Sequence, residues 1–160
     1  MQPSLSNSRL TAISLALALG GIAVSAYLTL VHYRDDLLVC AVGGCHTVQK
    51  SPYAELYGVP VAILGLGMFV AMAGFGLLRR IRPEWAESVT LITFGLALAG
   101  TVFTFYLTYL ELFVIHAVCQ WCVLTAVLTW ALLLLEGALA WRSLQPHDDL
   151  EFDDDLESAR

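Results

Sequence analysis

Residues 117–141 read AVCQWCVLTAVLTWALLLLEGALAW and combine an apolar run long enough to cross a membrane with two cysteines at its start. Roughly 20 consecutive apolar residues span a bilayer as an α-helix, a form that satisfies its own backbone hydrogen bonds in hydrocarbon. Cys119 and Cys122 precede the run, with only Gln120 and Trp121 between them. The stretch therefore predicts a membrane helix that begins with a thiol pair.

The rest of the chain also has the composition of a membrane protein. Hydrophobic residues make up 58% of the 160 residues, 14% are charged, and the mean hydropathy is +0.73. Soluble domains keep about a quarter of their residues charged. Apolar stretches of spanning length lie near residues 10–31, 59–78, 89–113 and 118–141. The sequence predicts an all-α integral membrane protein, with a bundle of four transmembrane helices as its catalytic domain within residues 1–144.

The first apolar stretch also resembles a signal peptide, because Arg9 is followed by LTAISLALALGGIAVSA and a small-residue cleavage site ending at Ala26. The apolar run continues through YLTLV, however, and so reaches the length of a bilayer span. We therefore expect a retained helix rather than a removed signal.

Positive charges predict the orientation, since cytoplasmic loops collect Lys and Arg. Arg9 precedes the first span, Arg142 follows the fourth, and residues 79–82 hold three arginines between the second and third. Both termini and the middle turn are expected in the cytoplasm. The loop 32–58 then faces outward, which in a bacterial inner membrane means the periplasm.

Residues 145–160 form an acidic tail that carries most of the net charge of −6. Such a composition is typical of a disordered segment, and the tail is expected in the cytoplasm, away from the cysteines. No nucleic-acid partner is expected.

All four cysteines fall on the predicted outward side. Cys40 and Cys45 lie in the loop 32–58, and Cys119 and Cys122 begin the fourth span. Isolated cysteines are usually inert small hydrophobic residues. Two closely spaced pairs on one side of the membrane instead favour thiol–disulfide chemistry, which the oxidising periplasm permits.

The position of Cys119 and Cys122 favours a redox-active pair. Residues three apart share a helix face, so the two thiols can approach for a disulfide. The partial positive charge of a helix N-terminus favours a thiolate. At the edge of the hydrocarbon layer, such a pair can meet a lipid-soluble molecule on one side and a protein thiol on the other.

The segments CAVGGCHTVQKSPYAELYGVPVAILGLGMF (residues 40–69) and YLTYLELFVIHAVCQWCVLTA (residues 106–126) resemble the bacterial branch of the vitamin K epoxide reductase family. The motif consists of a loop cysteine pair, a serine shortly after it, a GVP helix start and a late Cys-X-X-Cys. The resemblance covers residues 10–141. It departs at Ala126, where vertebrate members have a tyrosine that bonds the quinone.

This resemblance implies a quinone-dependent thiol oxidoreductase that drives disulfide formation in secreted proteins. Cys119 and Cys122 correspond to the active-site pair, with Cys122 beside the quinone, and Ser51 corresponds to a serine near the quinone head group. Cys40 and Cys45 correspond to a shuttle pair. The expected quinone is ubiquinone or menaquinone. No thioredoxin-like domain follows the fourth span, so the expected thiol donor is a separate periplasmic thioredoxin-like protein of the DsbA type.

Residues 46–59, HTVQKSPYAELYGV, are expected to form an amphipathic half-helix over the mouth of the bundle. This segment is either a lid on the quinone or a simple interfacial anchor. Gly43 and Gly44 are expected to give the cysteine loop the backbone freedom that a swinging motion needs.

An alternative function is a soft-metal carrier or transporter, in which the four cysteines, with His46 and His116, bind the metal. A Cys-X-X-Cys entering an apolar helix makes a poor metal site, so no metal is expected. Two acids lie in or near the spans. Glu111 is expected at the interface and Glu136 within reach of water, and neither is assigned a role.

Overall fold

The computed structural model describes residues 5–41 and 44–145, so the predicted acidic tail lies outside the described residues except for Gln145. The described chain is almost entirely helical. Its α-helices are α1 (Leu5–Tyr33), α2 (Cys45–Gln49), α3 (Val61–Ile81), α4 (Ala86–Leu110) and α5 (Gln120–Leu144). Shorter elements are 3-10 turns at Asp35–Leu37, Pro52–Ala54 and Pro83–Trp85, a hairpin of β1 (Glu55–Leu56) and β2 (Val59–Pro60), and a π-helical turn at Glu111–Ile115.

Four helical segments of the described chain are long and apolar enough to cross a membrane. They are Ser8–Tyr33, Val61–Ile81, Pro83–Ile115 and Gln120–Leu144, with mean hydropathies of 1.9, 2.3, 1.8 and 2.0. The predicted all-α membrane bundle is confirmed, and the protein is a multi-pass membrane protein.

The long helices pack in a ring, in which α1 contacts α3 and α5, and α4 contacts the same two helices. A buried cluster of Ala18, Phe69, Met72, Ala97 and Leu132 draws side chains from all four helices and fills the centre of the ring. Small residues allow close approach here: a Cβ on Gly21 would lie 2.4 Å from the ring of Phe69.

A buried ion pair ties the four helices together at the end of the bundle away from the cysteines. The Arg79 guanidinium of α3 lies 2.9 Å from the Glu136 carboxylate of α5. The same carboxylate accepts hydrogen bonds from Ser14 of α1 and Thr93 of α4. Glu136 is 1% exposed, so the expectation that it reaches water is wrong. The reason is that α3 continues to Ile81, which holds Arg79 inside the bundle rather than in the turn.

The expected half-helix over the bundle mouth is wrong in most of its length. Only Cys45–Gln49 is α-helical, and a 3-10 turn and the β1–β2 hairpin follow it. Pro52 lacks a backbone N–H and cannot continue the helix. Tyr57 and Gly58, with φ of 53° and 80°, form the two-residue turn of the hairpin, a conformation typical of such tight turns.

Candidate thiol redox site

All four cysteines lie at one end of the bundle, and they occur in two different states. Cys40 and Cys45 form a disulfide, whereas Cys119 and Cys122 are free thiols. Cys45 and Cys119 share a buried cluster with Val48, at 1% and 0% exposure for the two cysteines. Cys40 is only partly buried at the edge of this cluster. The loop therefore brings one sulfur of its disulfide against the first cysteine of the Cys-X-X-Cys motif.

The two residues between Cys119 and Cys122 hold the loop in place. The indole N–H of Trp121 donates to the carbonyl of Val39 at 2.9 Å, and the amide oxygen of Gln120 accepts from the N–H of Ala41 at 3.2 Å. Tyr27 of α1 completes the support, because its ring packs 4.8 Å from Trp121 and its hydroxyl accepts from the N–H of Val39 at 2.9 Å.

Position 44 requires glycine because a side chain would not fit there, not because the loop needs freedom to move. A Cβ at this position would lie 2.5 Å from the carbonyl oxygen of Val118, a distance that real side chains do not adopt. Gly44 immediately precedes Cys45, and Val118 immediately precedes Cys119. The backbone contact between the two residues thus sets the separation of the loop disulfide from the thiol pair. Gly43, the other glycine expected to give the loop freedom, lies outside the described residues.

Cys119 occupies the N-cap position of α5, with an extended backbone at φ −98° and ψ 115°. A hydrogen bond from the Cys122 thiol lowers the pKa of Cys119 to about 7, and the amides of Cys122 and Trp121 act in the same direction. These amides belong to the first turn of α5, whose N–H groups have no partner within the helix. Burial and the nearby Glu111 side chain oppose the change without reversing it. The helix N-terminus therefore favours ionisation of the Cys119 thiol.

A cavity of about 340 Å³ opens beside Cys122, between the four long helices and the loop that covers them. Most of its lining is apolar, with Leu28, Met68, Leu96, Phe103 and Leu107 among the side chains. Cys122 lines the cavity, whereas Cys119 does not. The Cys-X-X-Cys motif therefore presents one sulfur to the loop disulfide and the other to an apolar chamber.

The loop contributes polar groups to the cavity lining. Ser51 lines the cavity, but its hydroxyl donates to the carbonyl of Val48 at 2.7 Å. Its proton is therefore already used in a hydrogen bond within the protein. The side-chain nitrogen of Gln49 is buried and has no hydrogen-bond partner among the described residues. Ala126, at the position of the vertebrate tyrosine, is buried in the lining and offers no polar group.

Glu111 is the site residue that the sequence interpretation missed. Its side chain is 5% exposed and is therefore buried within the bundle, whereas its expected depth at the membrane interface stays a prediction. The carboxylate accepts the N–H of Cys119 at 3.1 Å and also meets the Cys122 thiol. It lies in the π-helical turn at Glu111–Ile115, which ends at His116 in the left-handed conformation. The available signal was an acidic residue within an apolar span, a few residues before the first cysteine.

The metal-carrier alternative finds no support in this geometry. Within residues 5–41 and 44–145, no three or more His, Cys, Asp and Glu side chains gather into a group that could hold a metal ion. Both His46 and His116 are exposed. Cys40 and Cys45 are joined to each other, which removes two thiolates from any ligand set.

A family model described as the vitamin K epoxide reductase family matches residues 12–136. The chain belongs to the vitamin K epoxide reductase family. The matched region contains the four long helices nearly in full, both cysteine pairs and the cavity. Membership makes the protein a membrane redox enzyme.

The contact between Gly44 and Val118 predicts how readily Cys45 and Cys119 react with each other. In a Cys40→Ser, Cys122→Ser variant, the two remaining thiols should form a disulfide under a mild oxidant, detectable by mass spectrometry of the unreduced protein. Adding Gly44→Ala should slow this reaction by at least about tenfold, because separating the backbones at a cost of about 1.4 kcal/mol is enough for that factor.

Gly67→Ala in the same double variant is the matched control, since nothing lies within 4 Å of a Cβ placed there. Equal rates for the Gly44→Ala and Gly67→Ala proteins would contradict the close contact.

Proposed function

We propose that the protein is a quinone-dependent thiol oxidoreductase that drives disulfide formation in secreted proteins. It accepts electrons from a separate periplasmic thioredoxin-like protein of the DsbA type and passes them to ubiquinone or menaquinone in the membrane. The observation that carries this proposal is the division of the Cys-X-X-Cys motif: Cys119 packs against the loop disulfide and Cys122 lines the apolar cavity.

The difference in burial between the loop cysteines supports an order of exchange. A thiolate of the partner attacks the more accessible Cys40, breaks the Cys40–Cys45 disulfide and releases Cys45 as a thiolate. The partner's second thiol then attacks the mixed disulfide, which leaves the partner oxidised and both loop cysteines reduced. Thiol–disulfide exchange with the partner protein thus takes place at the more accessible sulfur, that of Cys40.

The buried Cys45 sulfur passes the electrons to Cys119 and Cys122, which we call the inner pair. The Cys45 thiolate attacks Cys119 of the oxidised Cys119–Cys122 pair and releases the Cys122 thiolate, after which Cys40 attacks Cys45 and frees Cys119. The loop disulfide is restored and the inner pair is reduced. This product has the same arrangement as the structure, in which the loop pair is joined and the inner pair is free.

The cavity fits a quinone head group. Its volume of about 340 Å³ lies in the range of small-molecule sites, which is about 300–1,000 Å³. An apolar lining suits a quinone ring, and a ring carbonyl needs a hydrogen-bond donor. The buried nitrogen of Gln49 is such a donor without a partner among the described residues, whereas the proton of Ser51 is committed. A bound quinone would supply the acceptor for the two electrons of the reduced Cys119 and Cys122 pair.

The periplasmic orientation is supported by the distribution of arginines. Arg80 and Arg82 are exposed at the end of the bundle away from the cysteines, and Arg142 lies in the last turn of α5 at that same end. Positive residues favour the cytoplasmic side. This orientation exposes the loop disulfide to an oxidising compartment, where such bonds persist.

Single cysteine replacements test the order of transfer. Cys119→Ser and Cys122→Ser should abolish quinone reduction with every thiol donor, because a two-electron exchange needs both sulfurs. Cys40→Ser and Cys45→Ser should abolish reduction driven by the protein partner but retain it with a small membrane-permeant dithiol that reaches Cys119. Quinol formation is followed by absorbance, and partner-driven activity in the Cys122→Ser protein would overturn the proposal.

Replacing the unpaired donor tests the fit of the quinone. Gln49→Leu keeps a similar volume and should raise the KM for quinone by about tenfold, since about 1.4 kcal/mol lies within the usual net contribution of one hydrogen bond. Thr47→Val, on the exposed side of the same short helix, should leave the KM within about twofold of the unmodified enzyme. An unchanged KM in Gln49→Leu would exclude this residue from quinone binding.

A further inference from the structure

We propose that Glu111 is a catalytic residue that holds one of the two protons delivered to the quinone. This inference rests on the proposed function and extends it, since a quinone needs two protons as well as two electrons. Cys119, Cys122 and Glu111 then act as one cluster that stores the two electrons and the two protons.

The geometry brings the carboxylate to the reacting sulfurs and to the cavity at once. Glu111 contacts the Cys122 thiol, accepts the N–H of Cys119 at 3.1 Å, and lines the same cavity as Cys122. A proton on this carboxyl is therefore near both the sulfur that loses electrons and the space where the quinone would bind.

The backbone is shaped to turn Glu111 inward. A regular α-helix gives way at this residue to a π-helical turn, a feature that is rare and frequent at functional sites. The carbonyl oxygen of Glu111 accepts the N–H of Ala117 at 3.1 Å, which closes the connection toward α5. His116 adopts φ 54° in this connection, a conformation uncommon for residues other than glycine.

The surrounding charges force the cluster to share its protons. A carboxylate and a thiolate in contact in a dry site cannot both be ionised at low cost. No lysine or arginine lines the cavity among the described residues. His32 of α1 faces the cavity but is paired with Glu55 at 3.2 Å, and the joined Cys40 and Cys45 do not titrate.

The reduced cluster thus carries one negative charge and two protons. With the thiolate on Cys119, the protons reside on the Cys122 thiol and the Glu111 carboxyl group. When the Cys119–Cys122 bond forms, two electrons and these two protons pass to the quinone, and Glu111 remains as a carboxylate. When the loop cysteines reduce the pair again, their two protons return to Cys122 and Glu111, so that atoms and electrons balance over the cycle.

Glu136 provides the contrast that makes this inference specific. It is also a buried carboxylate on a membrane helix, but it is neutralised by Arg79 and accepts two hydroxyl groups. The described surroundings of Glu111 hold no such cation, and Glu136 does not line the cavity. It therefore serves as the matched control.

The direct test is infrared difference spectroscopy on the quinone-free protein, oxidised chemically from the dithiol to the disulfide. We expect a protonated-carboxyl band in the reduced protein that disappears on oxidation and shifts in heavy water. The band should be absent from Glu111→Gln and present in an Arg79→Gln, Glu136→Gln double variant, which removes both charges of the buried pair together. A reduced protein without such a band, or a band that survives in Glu111→Gln, would overturn the inference.

Single-turnover kinetics add a second readout. Glu111→Gln keeps an oxygen that can accept the Cys119 N–H, so a merely structural role predicts an unchanged rate. The inference predicts that quinone reduction by the prereduced Glu111→Gln protein slows by about 10²–10⁴-fold, the usual contribution of a positioned proton donor, while Cys119 and Cys122 still form a disulfide with a chemical oxidant. An unchanged rate overturns the role of Glu111 alone, whereas failure of the unmodified protein to reduce any quinone overturns the proposed function.

Discussion

The structure depends on the contact between the cysteine loop and the start of α5. Gly44 and Val118 meet backbone to backbone, and each is followed by a cysteine that is buried in the same cluster. Gln120 and Trp121 hold the preceding loop segment against the helix. Because Cys122 lies three residues beyond Cys119, the same helix turn that receives the loop also reaches the apolar cavity. In the proposed function, this one backbone contact couples thiol exchange at the aqueous surface to quinone reduction in the membrane.

Two buried carboxylates show how their surroundings decide what an acid does in a membrane bundle. Glu136 has a guanidinium and hydroxyl donors around it, so its charge is compensated and it joins the four helices at one end. Losing one partner of such a pair leaves a buried charge and is strongly destabilising. Glu111 has a backbone N–H and two thiols as neighbours, and no arginine or lysine within the described cavity lining. With no such cation beside it in the described structure, Glu111 is suited to the proton transfer that we propose for it.

Local patterns predicted the spans and the cysteine pairs, but not the contacts between them. Hydropathy and length suffice for membrane helices, and the spacing of Cys119 and Cys122 is a local property of one chain segment. The roles of Gly44 and Glu111 depend on residues that are adjacent only after folding, so their positions along the chain suggested flexibility and an interface instead. The predicted half-helix was too long because the amphipathic composition of the segment was given more weight than Pro52 and the tight turn at Tyr57 and Gly58. Glu136 was placed near water because its distance from the end of α5 was considered without its partner Arg79.

The central claim is that the thiols of this chain deliver electron pairs to a quinone in a fixed order. The most direct measurement is an anaerobic titration of the fully reduced protein with a short-chain quinone, with quinol measured by absorbance and each cysteine scored by differential alkylation and mass spectrometry. The account predicts one quinol per disulfide, with the first equivalent leaving the disulfide between Cys40 and Cys45 after internal exchange and the second joining Cys119 to Cys122. Quinol formation without loss of thiols, or loss of thiols without quinol, would contradict it.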